Sequence, residues 1–205
     1  GIQVLVSDHH EKASEPLLAD ALVHTTQLCG AGVAWFVGRA LLEQAGIADA
    51  EAIAQSWLDL VAIATIADQV PLLDANRSLV VFGLQQLRST KRAGLLALFS
   101  QARIEQSKIS EWTVSFTIAP RLNALGRLAH GLDALRLLVS TSVTKARQRA
   151  QLLEETNTDR QELTYDLYQV AQQQAKAQSA ERLIVVADES FHEGVIGLLA
   201  SRLVE

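Results

Sequence analysis

Ile2-Gln3-Val4-Leu5-Val6-Ser7-Asp8-His9-His10 decides how this chain reads as a fold. Four of its first five residues are apolar and three of them are β-branched, the pattern of a short buried parallel strand. Ser7-Asp8 then begins a polar loop at the strand's carboxyl end. In open α/β sheets, ligands bind at the carboxyl ends of strands, so Asp8, His9 and His10 stand where chemistry is expected. Adjacent imidazoles beside a carboxylate can supply a metal ligand, a proton-transfer or phosphate-contacting group, and an orienting partner. A polar loop carrying two surface histidines is the plainer alternative.

Outward from this strand the pattern turns helical. Cys29 to Gly46 has helical apolar spacing and closes on a glycine, as helices do. Ser56 to Ile66 is a very apolar helix with Asp68 at its end, and Arg77 to Leu87 and Gly94 to Ala102 are amphipathic. Pro120 and Gly126 predict a loop over residues 118–127. Thr144 to Gln178 contains neither Gly nor Pro and predicts one continuous helix, roughly 50 Å long at 1.5 Å per residue. That is longer than a compact core needs and suggests a strut between lobes. Leu183-Ile184-Val185-Val186-Ala187 reads as a second buried strand, with Gly194 to Val204 as the first helix of a new unit. The expectation is an α/β protein with few strands.

The 205 residues are 49% hydrophobic and 20% charged, an ordinary globular composition that excludes disorder and collagen-like repeats. No apolar run reaches the ~18–20 residues of a membrane helix, and no signal peptide opens the chain. A single cysteine, Cys29, excludes an internal disulfide and points to a reducing compartment, hence the cytoplasm. Methionine is absent, at position 1 included, and the chain stops inside an apolar-periodic run at Glu205; both predict an internal piece of a longer protein. The net charge of −5 hides a basic middle. Residues 77–149 hold twelve Lys and Arg against three acids (+9), leaving six against twenty elsewhere (−14). Clustered cations suit a polyanion; scattered, solvated helix faces explain the same count equally well.

Four further positions invite chemistry. Asp68 follows a helix so apolar that an idle carboxylate there would be costly, although an ion pair with an arginine would also account for it. His192 precedes Gly194 at a helix start, where free N–H groups favour anions; simple capping explains it too. Arg121 and Arg127, with planar guanidinium forks suited to phosphate, alternatively fix a turn by bridging carbonyls. The chain has no G-x-x-x-x-G-K-[ST], G-x-G-x-x-G, C-x-x-C or H-E-x-x-H motif. Gly30-Ala31-Gly32 is too short a glycine motif to indicate phosphate binding and is explained by close helix packing.

Taken in chain order, these segments resemble the DHH phosphoesterase superfamily, and within it the single-strand-specific 5′→3′ DNA exonucleases. The resemblance is carried by Val6-Ser7-Asp8-His9-His10, Gly30-Ala31-Gly32-Val33-Ala34, Leu58-Asp59-Leu60-Val61-Ala62 and Thr65-Ile66-Ala67-Asp68-Gln69-Val70-Pro71-Leu72. It continues through Ala119-Pro120-Arg121-Leu122-Asn123-Ala124-Leu125-Gly126-Arg127, then His192-Glu193-Gly194-Val195-Ile196-Gly197 and Ala200-Ser201-Arg202. Asp-His-His alone is weakly specific; P-R-L-N-A-x-G-R and H-x-G-V-I-G together are strong.

The resemblance implies a fold and a chemistry. Residues 1–142 would be the C-terminal, helix-rich part of a DHH-type parallel-sheet catalytic domain. Residues 143–179 would be a long connecting helix, and 180–205 the beginning of a second α/β domain of DHHA1 type that binds substrate. His9 and Asp68 would be metal ligands, His10 would contact the scissile phosphate and Asp8 would orient the histidines. Arg121, Asn123, Arg127 and His192 would hold nucleic acid. The cofactor implied is Mn²⁺ or Mg²⁺ in a two-metal site completed by aspartates outside this segment, so that the segment alone would be inactive. Aspartate-rich motifs would precede Gly1, while phosphate-binding loops and an oligonucleotide-binding domain would follow Glu205. The Asn-Pro pair usual after the histidine motif is missing from Asp20 to Thr26, a segment that looks shortened. The activity implied is release of 5′-mononucleotides from single-stranded DNA during repair and recombination. A helicase or single-strand-binding protein would be a partner, and no membrane is involved. Alternatives are a DHH phosphodiesterase acting on short oligonucleotides or cyclic dinucleotides, and a non-catalytic nucleic-acid-binding relative.

Overall fold

A computed structural model describes residues 1–12, 17–178 and 183–204. The chain divides into two compact units, one formed by Gly1–Lys91 with Arg103–Ala119, the other by Arg92–Ala102 with Pro120–Glu205. Among the described residues helices predominate over a two-stranded parallel sheet, the helix-rich α/β architecture expected.

In the first unit, β1 (Leu5–Asp8) pairs in parallel with β2 (Ala21–His24), Leu5 opposite Ala21 and Asp8 opposite His24. The first strand begins three residues later than Ile2, so Asp8 is its last residue rather than part of the loop. The second strand lies in the segment read only as shortened. Asp20 secures its entry, its carboxylate accepting the Val4 N–H at 2.7 Å. Helix α1 (Gly30–Gln44) is capped by the buried Cys29, whose Sγ accepts the Gly32 N–H at 3.4 Å. Thr65 gives its hydroxyl proton to the Val61 carbonyl, so at the 3.4 Å Cys29–Thr65 contact the thiol is the donor.

After α2 (Ala50–Ser56) comes α3 (Leu58–Ala67), apolar on every side and buried on most of them. A helix of that kind belongs in a core. It lies against α1 and against α4 (Asp74–Ser89), and Trp35, Ala54, Leu58, Val61 and Leu79 form the cluster between them. The indole of Trp35 donates to the Ala54 carbonyl at 2.7 Å. Gly83 permits the α3–α4 approach, since a Cβ there would collide with the Leu58 carbonyl and the Ala62 methyl. Among the described residues no single helix is long and apolar enough to cross a membrane; α2 and α3 reach that length and apolarity only together, as a pair bent by 41°.

In the second unit, α5 (Ala93–Gln101) packs on α8 (Leu132–Leu138) and on α9 (Val143–Ala177). The predicted long helix is therefore present, 35 residues in length. Ser142 caps it by accepting the Lys145 N–H, and Ala146, Ala150 and Leu153 bury its first half. Its second half carries Leu167 against Val195 and Leu199 of α10 (Ile196–Val204) and the turn before it.

Two expectations fail. Residues 118–127 are not a loop. Ser110 caps a short α6 (Glu111–Thr113), a π-helical turn spans Val114–Ile118, and α7 (Ala119–Leu128) follows without a break. Pro120 follows directly on the π-helical turn, and that widened turn accommodates the ring and the missing N–H within the continuous helix. Gly126 lies near the far end of α7, where glycine is cheap. The second correction concerns Leu183 to Ala187, which is extended but has no strand partner among the described residues. Leu183 is 76% exposed and Val185 62%. Side chains at the end of α9, from Gln174 within it and from its C-cap Gln178, bond this segment's backbone instead. Gln178 bonds both the N–H and the C=O of Val185, and Gln174 both those of Ala187, at 2.8–3.2 Å.

Gly83→Ala should lower the stability of the first unit by about 1–3 kcal/mol, because the obstruction is backbone and cannot rotate aside. Urea unfolding measures this; an unchanged midpoint would show that α3 and α4 can separate at no cost.

Candidate active site

Four of the predicted residues meet in the first unit. Strand β1 delivers Asp8 at its end, and His9 and His10 follow as the chain leaves the sheet. Asp68 arrives from the other direction as the C-cap of α3, its N–H still bonded to the Ala64 carbonyl. Gln69 then takes a left-handed conformation (φ 58°) that ends the helix. Burial of α3 thus fixes where the Asp68 carboxylate stands. Its partner is His9, with Nδ1 3.6 Å from Oδ2, and not the arginine considered from sequence.

The two histidines are held differently. His9 is 22% exposed and its ring lies over the start of α1. A Cβ on Gly30 would stand 3.3 Å from His9 Cδ2, so the glycine motif leaves room for the imidazole. His10 is 77% exposed, and its Nδ1 is bonded to Asp8 Oδ1 at 2.8 Å. The other Asp8 oxygen accepts the His10 backbone N–H at 3.2 Å. Asp8 therefore grips His10 twice, turning Nε2 away from itself. This contact raises the His10 pKa, through the Asp8 hydrogen bond first and the charges of Asp8 and Asp68 after it. Asp8 is lowered, chiefly by the same hydrogen bond. The pair is complete only while Asp8 is ionised and His10 protonated. It is lost as pH falls through the lowered pKa of Asp8 or rises through the raised pKa of His10.

His24 was missed from sequence. It ends β2 and donates from Nε2 to the His10 carbonyl at 2.7 Å, tying the histidine segment to the neighbouring strand. A parallel partner for β1 was the missing signal, and Ala21-Leu22-Val23-His24 is too short to announce itself as a strand.

Among the described residues no three His, Cys, Asp or Glu side chains converge as a metal-binding group. Two donors do. Ligands of a shared divalent ion, each about 2.1 Å from it, stand no more than about 4.2 Å apart, so His9 and Asp68 are close enough to share one. Imidazole nitrogen with carboxylate oxygen suits Mn²⁺ and tolerates Mg²⁺.

The other four predicted residues lie in the second unit. Arg121 forms a two-pronged ion pair with Glu154 of α9, through Nε at 2.6 Å and Nη2 at 3.0 Å. Arg127 donates from Nη1 to the Gly194 carbonyl at 2.9 Å. Gly194 is pressed on the Arg127 backbone, where a Cβ would collide with the carbonyl. His192 accepts the Gly194 N–H on Nδ1 at 3.0 Å and so caps the turn into α10, leaving Nε2 protonated. Asn123 is exposed and, with Gly126 and Arg127, lines a shallow cleft. Arg127, Gly194 and His192 thus form one connected group. All three α7 residues lie on a helix.

Asp8→Asn removes the charge that holds His10. In the metal-free protein the His10 titration, followed by NMR, should fall back toward the ordinary imidazole value of about 6.5. An unmoved titration would mean that Asp8 does not control the ring.

No family model matches the chain. Its whole length aligns with curated proteins named single-stranded-DNA-specific exonuclease RecJ. It is 37% identical to that of Bacillus subtilis (26% of the relative's length), 36% to that of Thermus thermophilus (30%) and 34% to that of Escherichia coli K12 (39%). The chain therefore spans between a quarter and two fifths of the relatives it matches. It also superposes over its whole length on RecJ of Thermus thermophilus in complex with Mn²⁺, with a TM-score of 0.89, 33% identity and 31% of that chain covered. A second RecJ structure, bound to manganese, gives a TM-score of 0.86 at 33% identity with 52% covered. From end to end, the chain resembles a segment of the RecJ exonucleases, as its DHH-type motifs lead one to expect.

Proposed function

We propose that the protein to which this chain belongs hydrolyses single-stranded DNA from the 5′ end, releasing 5′-mononucleotides with the help of Mn²⁺ or Mg²⁺. The observation that carries the reading is the convergence of His9 and Asp68 beside the Asp8-oriented His10, in a chain that matches RecJ exonucleases along its whole length. Residues 1–142 are assigned to the catalytic DHH domain, 143–179 to the connecting helix and 180–205 to the start of the DHHA1-type domain. The compartment is the cytoplasm, consistent with the single free Cys29. A helicase or single-strand-binding protein is the partner expected of an enzyme that needs a free single strand during repair or recombination.

His9 and Asp68 are the donors this chain offers to a divalent ion; two are fewer than such an ion needs, and aspartates elsewhere in the protein complete the set. When bound, two such ions generate the attacking nucleophile and neutralise charge on the attacking and leaving oxygens. His10 stands outside that pair of donors. Held by Asp8 and biased toward its protonated form, it presents an N–H to a phosphate oxygen and steadies charge as it develops there. Asn123, Arg127 and His192, with Arg121 braced by Glu154, contact the strand's phosphates in the second unit.

In the full-length protein, His9→Ala should weaken Mn²⁺ binding on the order of 10–100-fold or more, with excess Mn²⁺ restoring part of the activity. His10→Ala should lower turnover by roughly 10²–10⁴ while leaving metal affinity nearly intact. Calorimetric metal titration beside single-turnover cleavage separates the two. Equal loss of metal would make both histidines ligands, and full activity in both variants would sink the exonuclease reading. Arg127→Ala should reduce the salt slope of single-strand binding by about 0.7, the effect of one lost phosphate contact.

A further inference from the structure

Arg160, half-way along α9, was not among the predicted site residues, yet it is an unusually situated arginine. Its Nη2 donates to the buried Asn157 Oδ1 at 3.0 Å, while its Nε is buried with no hydrogen-bond partner. Unpartnered buried N–H groups are rare in folded proteins. One turn further on, Thr164 gives its hydroxyl to the Arg160 carbonyl at 2.6 Å and so leaves the guanidinium unassisted. After another turn Tyr168 lies beneath Arg202 of α10, the guanidinium carbon 6.0 Å from the ring centroid. Arg160 and Arg202 line one cavity of about 690 Å³, together with Thr164 and Tyr165. Glu162 and Asp166 also border it, and neither is within ion-pair distance of either arginine among the described residues.

The charges that act on Arg160 are nonetheless positive. Burial disfavours the cation of Arg160, and the positive charges of Arg127, Arg202 and Arg121 disfavour it further, with no carboxylate in compensation. Arg121 is paired with Glu154, and Arg127 gives one N–H to the Gly194 carbonyl and belongs to the group already described. Arg160 and Arg202 thus face one cavity as a cationic pair, and among the described residues neither is ion-paired with the Glu162 and Asp166 carboxylates that border it.

We propose that Arg160 of α9 and Arg202 of α10 form an oxyanion site that takes a phosphate group, distinct from the Arg127–Gly194–His192 group. The phosphate has two possible sources, the backbone of a bound single strand or a free phosphate such as that of a released mononucleotide. The backbone source rests on the exonuclease reading. The site itself does not.

The test uses the full-length protein with Arg160→Gln, Arg160→Lys and the exposed Arg202→Gln. Each Gln variant should weaken binding of inorganic phosphate, titrated by calorimetry, by about tenfold, the loss of one charge-assisted hydrogen bond. If the source is the strand, each should also cut the salt slope for an oligo-dT by about 0.7. Arg160→Lys keeps the charge and should keep the slope. Weaker phosphate binding with an unchanged oligo-dT slope supports the site and assigns it to free phosphate. A wild-type protein that neither binds nor cuts oligo-dT would overturn the exonuclease reading, and the phosphate titration would still decide the site. The proposal is overturned if Arg202→Gln, melting like wild type, binds both phosphate and oligo-dT unchanged, or if Arg160→Gln alters only the melting temperature.

Discussion

Helix α3 has no side it can show to water, and the first unit is arranged around that fact. Because nearly every face of Leu58–Ala67 must be covered, α1 and α4 close on it, and Gly83 lets the latter approach to backbone distance. The packing has a chemical result at the helix end. A carboxylate on a surface helix would wander with the fraying of its last turn; Asp68 caps a helix clamped on two sides, and its direction is inherited from the core. The pairing of β1 with β2 does the same for the histidines, and His24 ties the two strands together beyond their ladder. Two independently stabilised supports therefore meet at His9 and Asp68.

Much of this was written plainly in the residues. The long helix could be read from Thr144 onward because nothing between there and Gln178 interrupts it, and the structure places it at Val143–Ala177. Asp68 and the histidine segment stand out by position alone, but harmless explanations fit them equally, and only the family resemblance joins them into one site. What stayed hidden depended on partners distant in sequence. Ala21–His24 becomes a strand only through its pairing with Leu5–Asp8, and no local signal marks so short an element. Pro120 and Gly126 were read as breakers because local rules do not foresee a π-helical turn that makes room for a proline. Leu183 to Ala187 has a strand's composition, but composition does not provide a neighbour.

The arginines show a related limit. From sequence, Arg121 and Arg127 looked equivalent, two guanidinium groups six residues apart in one motif. The structure gives them different work. Arg121 braces α7 against α9 through a carboxylate, whereas Arg127 reaches a backbone carbonyl beside His192. Which of two arginines is free for a ligand depends on what lies opposite each, and Glu154 is 33 residues away from the one it holds.

The paired glutamines of α9 are two instruments of measurement as well as two partners. Residues four apart on an α-helix are separated by about 6 Å along its axis, and alternate residues of an extended chain by about 6.6–6.8 Å. The two spacings nearly coincide, so Gln174 and Gln178 can engage Ala187 and Val185 only in one alignment. A slip of one residue would turn the wrong edge of the backbone toward both amides at once. The helix thereby acts as a template that fixes the phase of the extended segment before any sheet neighbour is counted, and leaves its opposite edge as the one on which further strands can be laid.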